Sequence, residues 1–323
     1  MVFYFFINLY FHKNLMNINQ KIRDIGKITP GGKFIEHSVR KLVYEFFYKN
    51  HLKKNMVSLD RLLVIGTIAR SGTHYAMLLL SNYINLVSGS KNPIGPKEMN
   101  QMLPNNWHLH YMSYNKLPLG PLVEKMPHSP NNLIKNINLD DITRSHSIFQ
   151  EIFWQNSQIL HLYRNPLDYS VSLFNYKHKK RADLPNRCKN PSEVLELKFT
   201  NYCNMYNSYK NASKSGRFRI LRISYENLIQ EPEFYLKSIL TWLGNEPVDR
   251  LIEKSVKLSS IKKVKTAEKE GGEVNPDAKD LKGSFISSGK IGQWKNFYTS
   301  GDFEYWKKRF REQNIEIENF ILD

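Results

Sequence analysis

The chain of 323 residues has little cysteine, no long apolar run and a shortage of acid. Its two cysteines, Cys188 and Cys203, have no partner at CxxC spacing, so there is neither a disulfide framework nor a zinc ribbon. That usage fits a reducing compartment, and the cytoplasm is the expected location. The apolar opening "MVFYFFINLYF" spans 11 residues, against about 20 for a membrane span. It also lacks the basic start and small-residue cleavage site of a secretory signal. Thirty Asp and Glu stand against 47 Lys and Arg, a formal charge of +17. Such a balance favours anionic partners. No helix-turn-helix, RRM or zinc signature accompanies it, so no specific nucleic-acid partner is expected. There is no internal repeat.

What is present suits a packed domain: 41% hydrophobic and 13% aromatic residues. Residues 1–57 are set apart from the rest. Ile35, Val39, Leu42, Val43 and Phe46 share one helical face with cations opposite. This predicts a helical extension packed on or beside the core, and a second reading gives residues 35–53 contact with a membrane surface. Residues 58–323 are expected to form one domain. Strand-like runs "RLLVIGT", "SQILHLYR" and "FRILRIS" alternate with helix-like stretches at 73–87, 166–180, 191–213, 231–244 and from about Asp302. The expected fold is α/β and three-layered, a mostly parallel central sheet flanked by helices around a P-loop-like core. Residues 88–142, 181–191 and 262–292 show no clear periodicity.

Four segments carry chemistry. In "GTIARSGTHY" a glycine-containing turn runs from a strand into a helix, where backbone N–H groups and the helix N-terminus hold anions. Ser71 and Thr73 add hydroxyls and Arg70 a charged fork. The Gly-Lys-[Ser/Thr] ending that grips a nucleoside triphosphate and Mg²⁺ is missing. In "YRNPLDYSVSLFNY", Arg164 ends a strand and Ser172 lies two turns into the following helix, so both can face one phosphate. "TRSHSIFQ" offers His146, an imidazole that titrates near neutrality. "GKIGQWKNFYTSGDFEYW" supplies a basic glycine-containing loop with Trp294 as an apolar anchor.

In this order the four segments resemble the sulfotransferases that use 3′-phosphoadenosine-5′-phosphosulfate (PAPS). Ala69-Arg70-Ser71-Gly72-Thr73-His74-Tyr75 is similar to that family's 5′-phosphosulfate loop. Arg164-Asn165-Pro166-Leu167-Asp168-Tyr169-Ser170-Val171-Ser172 matches its 3′-phosphate segment throughout. Arg144-Ser145-His146 stands for its Lys-Thr-His, and Tyr225-Glu226-Asn227-Leu228 for its Tyr-Glu-Asp-Leu. The resemblance implies sulfuryl transfer to a hydroxyl or amine of a small molecule or carbohydrate, with PAPS as co-substrate and no metal required. It makes His146 the base and counts Arg70 and Arg144 with it as catalytic. Arg70, Ser71, Gly72 and Thr73 would hold the phosphosulfate, and Arg164 and Ser172 the 3′-phosphate. His74, Tyr75 and Tyr225 would lie at the adenine. Gly289 and Lys290, in the closing segment, would also bind the nucleotide.

Two departures stand out. Arg70 occupies the place of the loop lysine. Ser287 and Ser288 replace an Arg-Lys pair, so either Lys282 and Lys290 substitute or the 3′-phosphate grip is weaker. The competing readings are a P-loop kinase-like phosphotransferase and a non-enzymatic basic nucleotide- or nucleic-acid-binding protein. The aromatic stretch 105–114, with Trp107 and Tyr111, is a candidate acceptor wall.

Overall fold

The structure, a computed structural model, describes residues 58–90, 93–95, 99, 137–149, 151–176, 188–269 and 289–320. The expectations for residues 1–57, 105–114, Lys282, Ser287 and Ser288 lie outside the described residues.

The sheet has four parallel strands in the order β2–β1–β3–β4: β1 Leu62–Thr67, β2 Asp141–Ser145, β3 Gln158–Tyr163 and β4 Ile220–Ser224. Three were legible as apolar runs. β2 was not, because "DITRS" has only one large apolar residue and begins inside the stretch 88–142, which shows no clear periodicity. Its backbone pairs with β1 in the register Leu63↔Ile142 to Gly66↔Ser145.

Although every β1 residue is buried, the alternation of a strand still sorts the core. Leu62, Val64 and Ile159 face one layer, with α3 (Pro166–Asn175), α4 (Pro191–Lys214) and α9 (Ser300–Arg311). Leu63, Ile65, Leu160, Leu162 and Ile223 face the other. That second layer holds α1 (Thr73–Val87), α6 (Pro232–Trp242) and α7 (Asp249–Leu258). The remaining described α-helices are α2 (Glu151–Trp154), α5 (Tyr225–Gln230) and α8 (Ile261–Lys269). The expected three-layer α/β architecture is the observed one. Residues 262–292 show no clear periodicity in sequence, yet α8 covers their start and places Ile261 and Val264 three residues apart on one face.

Local chemistry fixes the boundaries that matter for function. Pro166 opens α3, and the Asn165 side chain accepts from the N–H groups of Leu167 (2.8 Å) and Asp168 (3.3 Å). α3 therefore starts two residues after Arg164, with only Arg164 and the cap Asn165 between it and β3. Gly66 lets β1 pass under α4: a Cβ there would sit 2.3 Å from the Tyr209 hydroxyl oxygen.

The chain leaves β1 towards β2 on one side, and leaves β3 towards β4 on the other. The carboxyl ends of β1 and β3 thus flank a topological switch point, where open α/β sheets leave a crevice.

Candidate active site

A cleft of about 230 Å³ lies at that switch point. Its floor is the turn between β1 and α1. Arg70 (φ 67°) and Gly72 (φ 82°) both adopt left-handed conformations, and the Ser71 N–H bonds back to the Ile68 carbonyl at 3.1 Å. Gly72 caps α1 with no side-chain hydrogen bond, so the first N–H groups of the helix have no capping side chain. The Ser71 hydroxyl is buried and has no hydrogen-bond partner among the described residues. An anion meeting the turn and the positive end of a 15-residue helix answers both features.

Gly72 is also required by packing. A Cβ there would lie 2.4 Å from Cδ2 of Tyr225. The Tyr225 hydroxyl donates to the Gly289 carbonyl at 3.1 Å, and the Arg164 guanidinium sits over its ring, 4.3 Å from the centroid. Arg164 donates to the carbonyls of Arg70 (3.3 Å) and Lys290 (3.1 Å), and lies 3.8 Å from the Asp168 carboxylate. Asp168 in turn accepts from the N–H groups of Gly292 (2.7 Å) and Trp294 (2.9 Å). One buried carboxylate thus ties the closing segment to the arginine after β3.

The second arginine, Arg70, donates from Nε to the Ser172 hydroxyl at 3.3 Å and lies over the Tyr176 ring at 4.7 Å. Burial first, then the nearby Arg164 charge, lower its pKa to about 10; Tyr176 and Tyr225 oppose the shift. It stays cationic at neutral pH, close to another cation.

Across the cleft, His146 Nδ1 lies 2.7 Å from the Thr67 hydroxyl and 3.0 Å from the Thr67 carbonyl. Thr73 donates to the same Thr67 hydroxyl at 2.9 Å. Arg144 reaches His74 Nε2 at 3.4 Å. A guanidinium only donates, so Nε2 accepts and neutral His74 carries its proton on Nδ1. Burial, then the charges of Arg144 and Arg70 and the neighbouring His146, hold the His74 pKa well below the usual imidazole range. The second buried acid of the region is Glu226, whose Oε1 accepts from the Asn165 N–H at 3.0 Å; burial raises its pKa to about 7.

The fold brings most of the sequence candidates around one cleft. Arg70, Gly72, Thr73, His74 and Tyr75 line the cleft from the turn and α1. Arg144 and His146 line it from β2 and the residues after it, and Arg164 and Ser172 from the end of β3 and α3. Tyr225 and Gly289 complete it. Ser71 is buried and does not line the cleft. The Lys290 side chain is exposed, and its carbonyl is the atom that meets Arg164. Sequence reading missed the apolar end of the cleft, built by Ile229, Ile261 and Val264 with Ser259 beside them. The three-residue spacing of Ile261 and Val264 was the available signal. It also missed Thr67 and the tie made by Asp168, the latter inside the matched "RNPLD" run.

The parallel sheet, the turn at its switch point and the cations around it define a P-loop-like phosphate-binding α/β protein. Within that class, the chain belongs to the sulfotransferase domain family, whose family model matches residues 60–317. It is 24% identical to cytosolic sulfotransferase 17 of Arabidopsis thaliana over 221 residues, covering 62% of this chain and 60% of that protein. It is 23% identical to sulfotransferase 2B1 of Rattus norvegicus over 267 residues, 81% of this chain and 73% of the relative. Its fold is similar to that of retinol dehydratase in a complex with retinol and PAP, with a TM-score of 0.54 at 17% identity, covering 82% and 85% of the two chains. Mouse sulfotransferase SULT7A1 complexed with PAP gives a TM-score of 0.53 at 18% identity, covering 80% and 86%. Among the described residues no helix is long and apolar enough to cross a membrane.

Proposed function

We propose that the protein transfers a sulfuryl group from PAPS to an acceptor hydroxyl, with amines as the alternative acceptor class, releasing 3′,5′-adenosine bisphosphate. The observation that carries this reading is the convergence, in one cleft, of an anion-ready turn, Arg164 with Ser172, and a histidine held by its Nδ1. The donor supplies an already anionic sulfuryl group and a good leaving group. The residues fit it: the Ser71 hydroxyl and the α1 N-terminus suit its 5′ side, and Arg164 and Ser172 its 3′-phosphate. Tyr225, Tyr75, Ile261 and Val264 offer apolar surface to a base.

In this reading Arg70 and Arg144 stabilise charge on the sulfuryl and leaving oxygens, as fixed cations in a water-poor cleft. Because Nδ1 of His146 faces a carbonyl, Nε2 carries the lone pair of the neutral ring and takes the acceptor proton. The acceptor oxygen–sulfur bond forms as the sulfur–phosphate oxygen bond breaks, and the electron pair leaves with the bisphosphate. The Lys290 and Gly289 carbonyls brace Arg164 and Tyr225 at the nucleotide end. The relatives named for retinol and steroids favour a small hydroxyl-bearing molecule over a carbohydrate. The cytoplasm is the proposed compartment.

The test is transfer from radiolabelled PAPS to a panel of phenols, steroids and sugar alcohols, with His146→Ala alongside. Transfer by the wild type, its loss in the variant and nearly unchanged bisphosphate affinity are expected. Normal turnover by the variant removes His146 from the role. No transfer to any acceptor, with no bisphosphate affinity, removes the function.

A further inference from the structure

We infer that Thr67 is a positioning residue for the base, setting the tautomer and direction of His146 and linking it to the donor-binding helix. This rests on the reading of His146 as the base.

Thr67 is the last residue of β1 and is fully buried. The register that pairs Gly66 with Ser145 puts Thr67 beside His146, one step further along the same two strands. Both Thr67 oxygens converge on Nδ1, the hydroxyl at 2.7 Å and the carbonyl at 3.0 Å. A carbonyl has lone pairs and no proton to give. An unprotonated Nδ1 would set lone pair against lone pair, so the proton resides on Nδ1. Nε2 is then the basic nitrogen at the start of the reaction. After proton capture, the same two oxygens face the N–H of the imidazolium and stabilise its charge.

The hydroxyl does more than repeat the carbonyl. It is the nearer of the two, and it also accepts the Thr73 hydroxyl proton at 2.9 Å. Thr73 is the first residue of α1, whose N-terminus forms the phosphate-facing floor. One side chain therefore joins base and donor loop, and the three groups Thr73, Thr67 and His146 form a continuous hydrogen-bonded chain. His74 on α1 is held neutral by burial and by the charges of Arg144 on β2 and Arg70 in the turn.

The test uses Thr67→Val, close in shape but without the hydroxyl, and Thr67→Ser, which keeps it. Thr67→Val should lower kcat about tenfold, the worth of one net hydrogen bond in the transition state. The bisphosphate dissociation constant should stay within about twofold. Thr67→Ser should recover most of kcat. Nitrogen NMR of the wild-type protein should show His146 protonated at Nδ1, with the tautomer mixed in Thr67→Val. A wild-type His146 protonated at Nε2 overturns the inference even if the valine variant does not fold. So does a folded Thr67→Val with wild-type kcat, or a Thr67→Ser as slow as the valine variant. A fully active His146→Gln instead overturns the reading on which it rests.

Discussion

Replacing Gly72 by alanine isolates the physical requirement of the turn between β1 and α1. The residue sits at φ 82°, where an L side chain costs about 1–2 kcal/mol. Its Cβ would also lie 2.4 Å from Cδ2 of Tyr225. Tyr225 has little room to yield, because its hydroxyl is bonded to the Gly289 carbonyl and Arg164 covers its ring. Overpacking of this kind costs about 1–3 kcal/mol. The sum, about 2–5 kcal/mol, corresponds to a fall in Tm on the order of 5–15 °C for a domain of this size. Gly89 is the internal control: its φ is 83°, and a Cβ added there would meet nothing within 4 Å. Gly89→Ala should therefore show the backbone cost alone. Calorimetry of the two variants separates strain from clash. Bisphosphate affinity should also fall in Gly72→Ala, because any relief moves Tyr225 or the turn. A Gly72→Ala protein as stable as Gly89→Ala, with wild-type nucleotide affinity, refutes the reasoning.

Other outcomes follow from the same contacts. Asp168→Asn replaces one of two oxygens that accept backbone N–H groups with an amide donor, at a cost of about 1–3 kcal/mol; a lower urea midpoint and weaker bisphosphate binding should appear together. Glu226 has its pKa raised from 4.5 to about 7 by burial. The folded state therefore binds the proton more tightly, and stability declines as pH rises from about 4.5 through 7, by roughly 3 kcal/mol at most from this group. Glu226→Gln should flatten that decline, which urea midpoints at acidic and neutral pH would reveal; an unchanged slope contradicts the assignment. Arg164→Ala should weaken a 3′-phosphorylated nucleotide far more than adenosine 5′-phosphosulfate, and equal losses in titration calorimetry would contradict the 3′ role.

The motifs at strand ends were readable because their local chemistry is dense. The turn carries glycine, hydroxyls and a cation within seven residues, Ala69 to Tyr75. The start of α3 carries Asn165 and Pro166, a cap and an N1 residue in sequence. β2 was harder to read. Its residues are ordered by pairing with β1, a tertiary interaction that leaves no apolar run in "DITRS". The apolar end of the cleft was missed for a related reason. Ile229 reaches the site through α5, whereas Ile261 and Val264 arrive on α8, so their proximity exists only after the chain folds. Lys290 was named from its place in a basic loop, and the bond from Arg164 to its carbonyl is a backbone contact that the residue type does not display.

The central claim is that the cleft is built for a nucleotide with a phosphate on the ribose 3′ position. Thermal unfolding in the presence of 3′,5′-adenosine bisphosphate addresses it most directly. At about a hundred times its dissociation constant the bisphosphate should add roughly 2.7 kcal/mol and raise Tm clearly. AMP, lacking the 3′-phosphate, should give a much smaller shift at the same concentration. Stabilisation by ATP with Mg²⁺ and none by the bisphosphate would contradict the account.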